Sequence, residues 1–392
     1  MSAIASTEGS GYPVQRGVVI AGCALLGLFA YAVALNGWRI ATLFGIGALM
    51  GLVLYHAAFG FTSAYRRMIV ARDVSDVRAQ LLMLAIATAL FAPALAEGVI
   101  FGRSVSGAIA PVGVQVAAGA FMFGLGMQLG GGCGSGTLFT VGGGSIRMLV
   151  TLAAFIAGSF WASLHMEWWV STPRVEGIAL GDTLGWSVAL VLQLAVFLVL
   201  SEILRRWGKR TEVAVDRPTW RRFVTGGWPI LWGAVALAIL NWVSMIVAGY
   251  PWSITWAFTL SGAKIAKFLG WDPTGVWFWT GGFTEKALNS SILTDDTSVM
   301  NIGIVLGALI ASGLAGRYAP SFRIPLRSLA AAIIGGLLMG YGARIAFGCN
   351  IGAFFSGVAS TSMHGWLWIA AALIGTWIGV RLRPSFGLSN GS

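Results

Sequence analysis

GLGMQLGGGCGSGTLF (124–139) and GYGARIAFGCNIGAFF (340–355) place two of the chain's three cysteines, Cys133 and Cys349, in the same glycine frame. The two stretches align at an offset of 216 residues, and seven positions in and just before them match. In the first copy these positions are Gly119, Gly124, Gly126, Gly132, Cys133, Gly136 and Phe139. A weaker match joins GFTSAY (60–65) to SITWAF (253–258). The pattern indicates two related halves.

Composition places these halves in a membrane. Hydrophobic residues make up 57% of the 392 residues and charged residues only 10%, which is more apolar surface than one soluble core hides. We predict an all-α polytopic protein with about ten spans of ~20 residues each. The predicted spans are 17–35, 38–59, 79–96, 112–129, 148–165, 185–203, 228–248, 297–315, 326–345 and 366–381.

Lysine and arginine set the predicted orientation, because basic residues concentrate in cytoplasmic loops. With ten spans, all the basic clusters fall on one side of the membrane. The clusters are Arg66, Arg67, Arg72 and Arg78; Arg205, Arg206, Lys209, Arg210, Arg217, Arg221 and Arg222; Arg317, Arg323 and Arg327; and Arg381 and Arg383. We therefore expect a bacterial inner-membrane protein with both termini in the cytoplasm, and we attribute the net charge of +11 to topology rather than to nucleic acid binding.

This topology makes the two halves inverted. The span before Cys133 runs inward and the span before Cys349 runs outward, so 1–184 and 185–392 are predicted inverted repeats. The glycine-rich segments after these spans are predicted to be re-entrant half-helices that meet at the midplane, which gives an hourglass shape. A helix start at that depth directs free N–H groups at an anion. The alternative is that the glycines only allow helices to pack closely.

The thiols are the chemical groups that this frame positions. An S–H is a weak donor and its sulfur a soft acceptor, so it suits a sulfur-bearing solute without the desolvation that a fixed charge demands. The predicted substrate path contains Cys133, Cys349, Gly132, Gly134, Gly136, Gly348, Asn350 and Gly352, with Cys23 in the first span as a further candidate. Cys23 fits equally well as a small buried hydrophobe.

Arg344 and Gln128 occupy equivalent places, five residues before the two repeated cysteines. We include both in the predicted path, since a cation on one side of a pore attracts a dianion. The alternative for Arg344 is an arginine that snorkels to the lipid headgroups. The long 249–296 connection, which contains PWSITWAF and WFWTGG, is expected to form an outer vestibule.

The paired GC..G motifs, GFTSAYR and PWSITWAFTLSGAKI resemble the YeeE/YedE family of sulfur-transport membrane proteins over most of the chain. The resemblance implies an hourglass inverted-repeat fold that takes up thiosulfate. It also implies three cysteines that pass the ion along by S–H to sulfur hydrogen bonds. Cys133 and Cys349 match the two central cysteines, whereas Cys23 resembles the third only by its place in the first span. The family further implies a cytoplasmic sulfur-carrier partner, for which the basic 204–222 loop is a candidate dock.

Soluble-enzyme functions fit the sequence less well. GGGCGSGT lacks the lysine of a phosphate-binding loop, and no CxxC, zinc or haem pattern is present, so we expect neither an enzyme nor a cofactor or metal. A selenium compound could replace thiosulfate as cargo, because the chain looks longer than the compact family members and closer to the YedE-like branch. The sequence is also compatible with a passive anion channel or a thiol-dependent membrane redox protein.

Overall fold

The computed structural model describes residues 12–209 and 220–391. The helices of the first part of the chain are α1 Arg16–Ala34, α2 Trp38–His56, α3 Phe61–Ala71, α4 Ser75–Glu97, α5 Val114–Gly130, α6 Gly134–Gly142, α7 Ile146–Ser163, α8 Met166–Val170 and α9 Leu180–Leu184. The later helices are α10 Trp186–Trp207, α11 Trp220–Thr225, α12 Ile230–Ala248, α13 Thr255–Phe268, α14 Gly282–Asn289, α15 Asp296–Leu314, α16 Leu326–Ile345, α17 Gly357–Ala359 and α18 Met363–Leu382.

Short elements complete the described chain. A π-helix, Asn350–Ser356, leads into α17, and 3₁₀ turns cover Trp277–Trp279, Ile292–Thr294 and Arg383–Phe386. Two antiparallel pairs of two-residue strands join β1 Val99–Ile100 to β2 Arg103–Ser104 and β3 Val112–Gly113 to β4 Arg174–Val175. All four strands lie in the connections between helices.

Ten of the described helices are long and apolar enough to cross a membrane, namely α1, α2, α4, α5, α7, α10, α12, α15, α16 and α18. This confirms the all-α polytopic fold, and every predicted boundary lies within about four residues of the observed one. The outermost helices, α1 and α10, expose large apolar side chains such as Leu28 (63%) and Leu198 (74%). An apolar belt of this kind requires lipid, so the chain is a multi-pass membrane protein.

Local signals place the helix ends. Asp295 caps α15, where its carboxylate accepts the Ser298 N–H at 2.8 Å. Ser145 caps α7 through its hydroxyl, which accepts the Met148 N–H at 3.4 Å. The helices α4 and α12 end at Gly98 and Gly249, whose φ angles of +69° and +87° favour glycine.

The interior is built from paired helices. The most extensive contacts join α5 to α18, α7 to α16, α2 to α15 and α5 to α16, while α4 packs on α12. Glycines permit this approach: a Cβ at Gly124 would meet the Ala372 carbonyl oxygen of α18 at 2.0 Å. At the matching position in the second half, a Cβ at Gly340 would meet the Phe155 carbonyl oxygen of α7 at 2.2 Å. The close-packing role of glycine therefore applies in both halves.

Contacts between distant segments gather basic residues at one end of the bundle, here called the basic end. Four hydrogen bonds do this: Lys209 N–H to the Arg72 carbonyl (3.0 Å), Arg78 Nε to Ser201 Oγ (3.2 Å), Arg147 Nε to Ser328 Oγ (2.8 Å) and Gln15 Nε2 to the Tyr318 carbonyl (2.9 Å). Arg210 and Arg217 lie outside the described residues. At the opposite end, the Leu180 N–H donates to the Thr361 carbonyl (2.9 Å).

Gly51→Ala is expected to destabilise the α2–α15 contact. A Cβ at Gly51 would lie 2.1 Å from the Ile304 carbonyl oxygen, so the helices must separate, at a cost of about 1–3 kcal/mol. Gly45→Ala is the matched control in the same helix, because a Cβ there meets nothing within 4 Å. Thermal unfolding of the detergent-purified variants should show a lower midpoint for Gly51→Ala alone, and equal midpoints would contradict the packing.

Candidate functional site

Both glycine frames form sharp chain reversals. After α5, Gly131 has a φ of +93°, and after α16, Phe347 at the equivalent position has a φ of +60°. The next residue lies against the helix that follows: a Cβ at Gly348 would meet the Ala353 backbone nitrogen at 2.7 Å. A Cβ at Gly132 would meet the Gly136 carbonyl carbon at 3.1 Å. Gly132 and Gly348 thus allow the backbone to turn directly into a new helix.

The two repeated cysteines cap these new helices. Cys133 Sγ accepts the Gly136 N–H at the start of α6, and Cys349 Sγ accepts the Ile351 N–H at the start of the π-helix, both at 3.4 Å. Both side chains are buried, with 1% and 0% exposure. A thiol is a weak acceptor, so each helix start keeps most of its capacity to bind an anion.

The two reversals meet in the interior. A Cβ at Gly134 would lie 3.0 Å from Cys349 Sγ, so this thiol lies against the start of α6. From there α6 leads to the basic end, where a Cβ at Gly143 would touch the Tyr55 ring at 2.8 Å. The other helix leads the opposite way, since Ser360 Oγ accepts the Ala108 N–H at 3.0 Å. Gly136 and Gly352 lie in the first turns of the two helices.

The two helices differ in form. The α6 segment is a regular α-helix, whereas Asn350–Ser356 is a π-helix. The π-helix is rare in proteins, and where it occurs it often lies at a functional site. Ser356 Oγ donates to the Trp252 carbonyl at 2.9 Å and accepts from Asn241 Nδ2 at 3.2 Å. These bonds anchor the end of the π-helix to the loop before α13.

The carbonyl groups left free before each reversal also have partners. Arg147 donates to the Leu129 and Gly130 carbonyls at 2.8 Å and 2.6 Å, and Arg383 donates to the Gln128 carbonyl at 2.5 Å. In the second half, Trp368 Nε1 donates to the Gly348 carbonyl at 3.2 Å. No local sequence signal predicts these bonds, because Arg383 lies 255 residues from its acceptor.

Several polar atoms beside the thiols are buried without a hydrogen bond in the described structure. They are the Tyr65 hydroxyl, both amide atoms of Asn350 and Gln128 Oε1. The Tyr65 hydroxyl lies beside the Asn350 amide and close enough to Cys133 to act on it electrostatically, although the geometry falls short of a hydrogen bond. Buried polar groups without a partner are rare in folded proteins, and water, a bound ion or a functional role accounts for them.

Tyr65 was not among the predicted site residues. It belongs to the quoted GFTSAY motif and aligns with Phe258. The position was therefore interpreted as a shared aromatic residue, and the Tyr65 hydroxyl was overlooked. The hydroxyl that distinguishes the two positions was the available signal. Gln128 was predicted, and its Nε2 donates to the Thr62 carbonyl at 3.0 Å.

The remaining two predicted residues lie away from the thiol pair. Arg344, on the last turn of α16, places its guanidinium carbon 5.0 Å from the centre of the Phe278 ring, and its buried Nε has no partner. Phe278 belongs to the 249–296 connection, so Arg344 contacts the predicted vestibule. Cys23 is exposed on α1, and the structure does not bring it to Cys133 and Cys349.

Comparison with known proteins identifies the family of the chain. The family model described as sulphur transport matches residues 56–378, which is most of the chain. The chain belongs to the sulphur transport family. This family contains the YeeE/YedE-type proteins that the sequence motifs resemble, so the resemblance is confirmed.

Two relatives named as thiosulfate transporters are similar to this chain along most of their length. The thiosulfate transporter TsuA of Spirochaeta thermophila is 29% identical over 356 residues, 85% of this chain and 95% of the relative. The TsuA of Escherichia coli is 25% identical over 86% of this chain and 94% of the relative. The match to the probable transporter YedE of Escherichia coli is shorter, at 34% identity over 41% of this chain and 39% of the relative.

The three thiols are expected to differ in reactivity. N-phenylmaleimide, a small lipophilic reagent, should label Cys23 on the exposed face of α1 before Cys133 or Cys349, because the latter two are buried. Mass spectrometry of the purified protein follows the three sites separately, and denatured protein provides the reference in which all three react. Labelling of Cys133 at the rate of Cys23 in the folded protein would contradict the closed geometry.

Proposed function

We propose that this protein takes up a small sulfur-containing anion, thiosulfate, along a central path lined by the Cys133 and Cys349 thiols. The observation that carries the proposal is the meeting of two thiol-capped helix starts in the membrane interior. Two relatives named thiosulfate transporters, each covered over more than nine-tenths of its length, support the cargo.

The chemistry of the site suits thiosulfate. Its terminal sulfur is soft and matches the polarizable thiols, while its oxygens need donors. The free N–H groups at the starts of α6 and the π-helix provide donors, and the helix dipoles favour a negative charge. The unpaired Asn350 Nδ2 and the Tyr65 hydroxyl supply further donors. The anion can approach the backbone closely at five residues that have no side chain: Gly132, Gly134, Gly136, Gly348 and Gly352.

We propose that residues 1–184 and 185–392 are inverted repeats. Exchanging the halves converts the α5–α18 contact into the α16–α7 contact and the α2–α15 contact into the α12–α4 contact, and all four contacts are present. The matched glycines Gly124 and Gly340 lie in equivalent contacts, which supports the same relation. Inverted repeats allow a central site to open to either side in turn.

The buried state of the two thiols supports a gated mechanism over a permanently open pore. A passive channel would leave the path hydrated, whereas Cys133 and Cys349 are closed to solvent. We therefore propose that the reversals separate from their neighbours on one side at a time, with Arg344 on the vestibule side attracting the anion.

We further propose that the basic end faces the cytoplasm of a bacterial inner membrane. Both described ends of the chain lie there: Gln15 bonds to Tyr318, and Arg383 bonds near the end of α5. A cytoplasmic sulfur carrier remains an expectation from the family, and much of its candidate dock at 204–222 lies outside the described residues.

Orientation is tested with single cysteines in a protein whose three native cysteines are replaced by alanine. Ser171→Cys, in the exposed loop after α8, should react with an impermeant maleimide in intact cells. Ser385→Cys, in the exposed turn after α18, should react only after permeabilisation. Labelling of Ser385→Cys in intact cells would reverse the proposed orientation.

The thiol path is tested by uptake of radiolabelled thiosulfate into proteoliposomes, normalised to monodisperse protein. Cys133→Ser and Cys349→Ser should each lower the rate about tenfold, equivalent to ~1.4 kcal/mol, because serine keeps a hydroxyl but loses the soft sulfur. Cys133→Ala and Cys349→Ala should be at least as severe. Cys23→Ser is the control and should stay near wild type, since Cys23 lies on the exposed face of α1.

The alanine variants separate a transport role of the thiols from a structural one. A purely structural role predicts that alanine is tolerated and that serine destabilises by burying an unpaired hydroxyl. Full normalised uptake by both Cys133→Ala and Cys349→Ala would refute the thiol path. Unlabelled sulfate and selenite, added as competitors of radiolabelled thiosulfate, identify the cargo. If sulfate competes as well as unlabelled thiosulfate, the soft terminal sulfur is not what the site recognises.

A further inference from the structure

Three arginines surround the end of α5 at the basic end. Arg147 and Arg383 bind the free carbonyls of this helix, and Arg66 lies on α3, which packs against both α5 and α18. Among the described residues, none of the three forms an ion pair. We call Arg66, Arg147 and Arg383 the arginine cluster.

The helix end does not neutralise this cluster. The carbonyls at a helix C-terminus carry about half a negative charge, whereas three guanidinium groups carry three positive charges. Neighbouring Arg67 shows the contrast, because it pairs with Asp76. The cluster therefore holds an excess of positive charge in a partly buried place, which is costly unless an anion is bound there.

Donors remain free in the cluster. A guanidinium has five N–H groups. The bonds of Arg383 to three oxygens leave two of them free, and the bonds of Arg147 to three oxygens and to Met148 Sδ leave one. Arg66 Nε is buried and has no partner. Hydrogen bonding to the carbonyls at the end of α5 thus accounts for some of the N–H groups of Arg147 and Arg383. It does not account for the presence of Arg66.

The cluster continues the path from the thiols. Thr62, Tyr65 and Arg66 share one face of α3, since they lie at i, i+3 and i+4. Tyr65 lies near Cys133, and the next residue along the chain, Arg66, belongs to the cluster. Gly131, two residues from Cys133, is exposed, and a Cβ on it would lie 2.7 Å from Arg147 Nη1. An anion that leaves Cys133 toward the basic end meets the arginines first.

We propose that Arg66, Arg147 and Arg383 form an oxyanion-binding site at the basic end, where the transported anion is held before release. The identity of the anion rests on the proposed function, but the site itself does not. It recognises charge and oxygen atoms through guanidinium N–H groups, so it does not distinguish thiosulfate from sulfate. Discrimination between the two belongs to the thiols.

The test is calorimetric titration of sodium thiosulfate and sodium sulfate, at constant ionic strength, into protein in phosphatidylcholine nanodiscs. Arg66→Gln should weaken the binding of both anions about tenfold, equivalent to ~1.4 kcal/mol. Arg66→Lys keeps the charge and should lose less. Arg72→Gln is the matched control: Arg72 follows the same helix, is exposed and stacks on Trp207, so its loss should leave affinity unchanged.

A second background separates this site from the thiols. In protein with Cys133→Ala and Cys349→Ala, the arginine cluster should still bind both anions with similar affinity, and Arg66→Gln should remove that binding. If the double cysteine variant is not monodisperse, the single variant Arg66→Gln, which keeps both native cysteines, is compared with wild type instead. Sulfate binding that depends on Arg66 would persist even if the protein proved not to transport thiosulfate.

Three outcomes would overturn the proposal. The first is equal affinity in Arg66→Gln, Arg72→Gln and wild type. The second is a dependence on Arg66 that appears only with phosphatidylglycerol in the nanodisc and not with the free anions, which would assign the cluster to a lipid headgroup. The third is equal displacement by chloride, which would indicate general screening.

Discussion

A chain that reverses inside a membrane must find partners for the backbone groups that each broken helix exposes, and this constraint governs the centre of the protein. Arg147, Arg383 and Trp368 satisfy carbonyls before the two reversals. At the helix starts that follow, the thiols of Cys133 and Cys349 accept weak bonds from the N–H groups of Gly136 and Ile351. The carbonyl side is thus well satisfied while the N–H side is left available, which gives the interior an anion-attracting character without a fixed charge.

The placement of full charges follows from the strength of Coulomb interactions. A guanidinium 4 Å from a dianion is attracted by about 8 kcal/mol at an effective dielectric constant of about 20, before the cost of desolvating both ions is subtracted. A helix start carries about half a charge and binds correspondingly less tightly. Arg344 lies toward the vestibule and the arginine cluster at the basic end. Charges at the ends attract the anion, while dipoles and thiols in the middle let it move on.

Much of this could be predicted from the sequence, for physical reasons. Spans of ~20 apolar residues are stable only across a membrane, and the glycines directly beside Cys133 and Cys349 allow sharp turns that a regular helix does not need. The π-helix after Cys349 could not be predicted, because the same frame starts the regular α6 and only distant partners such as Trp252 distinguish them. The capping by Arg383 depends on tertiary contact, and Tyr65 was hidden by its match to Phe258.

The central claim is that the transported anion binds between the two thiol-capped helix starts. Selenosulfate carries selenium in place of the terminal sulfur of thiosulfate, so a crystal structure of the complex at the selenium edge would locate that atom by its anomalous signal. We predict a strong peak in contact with Cys133 Sγ and Cys349 Sγ, with the oxygens directed at the free N–H groups at the starts of α6 and the π-helix, in addition to any anion held at the arginine cluster. The absence of a peak at the two thiols, with occupied selenium sites only elsewhere on the protein, would contradict the account.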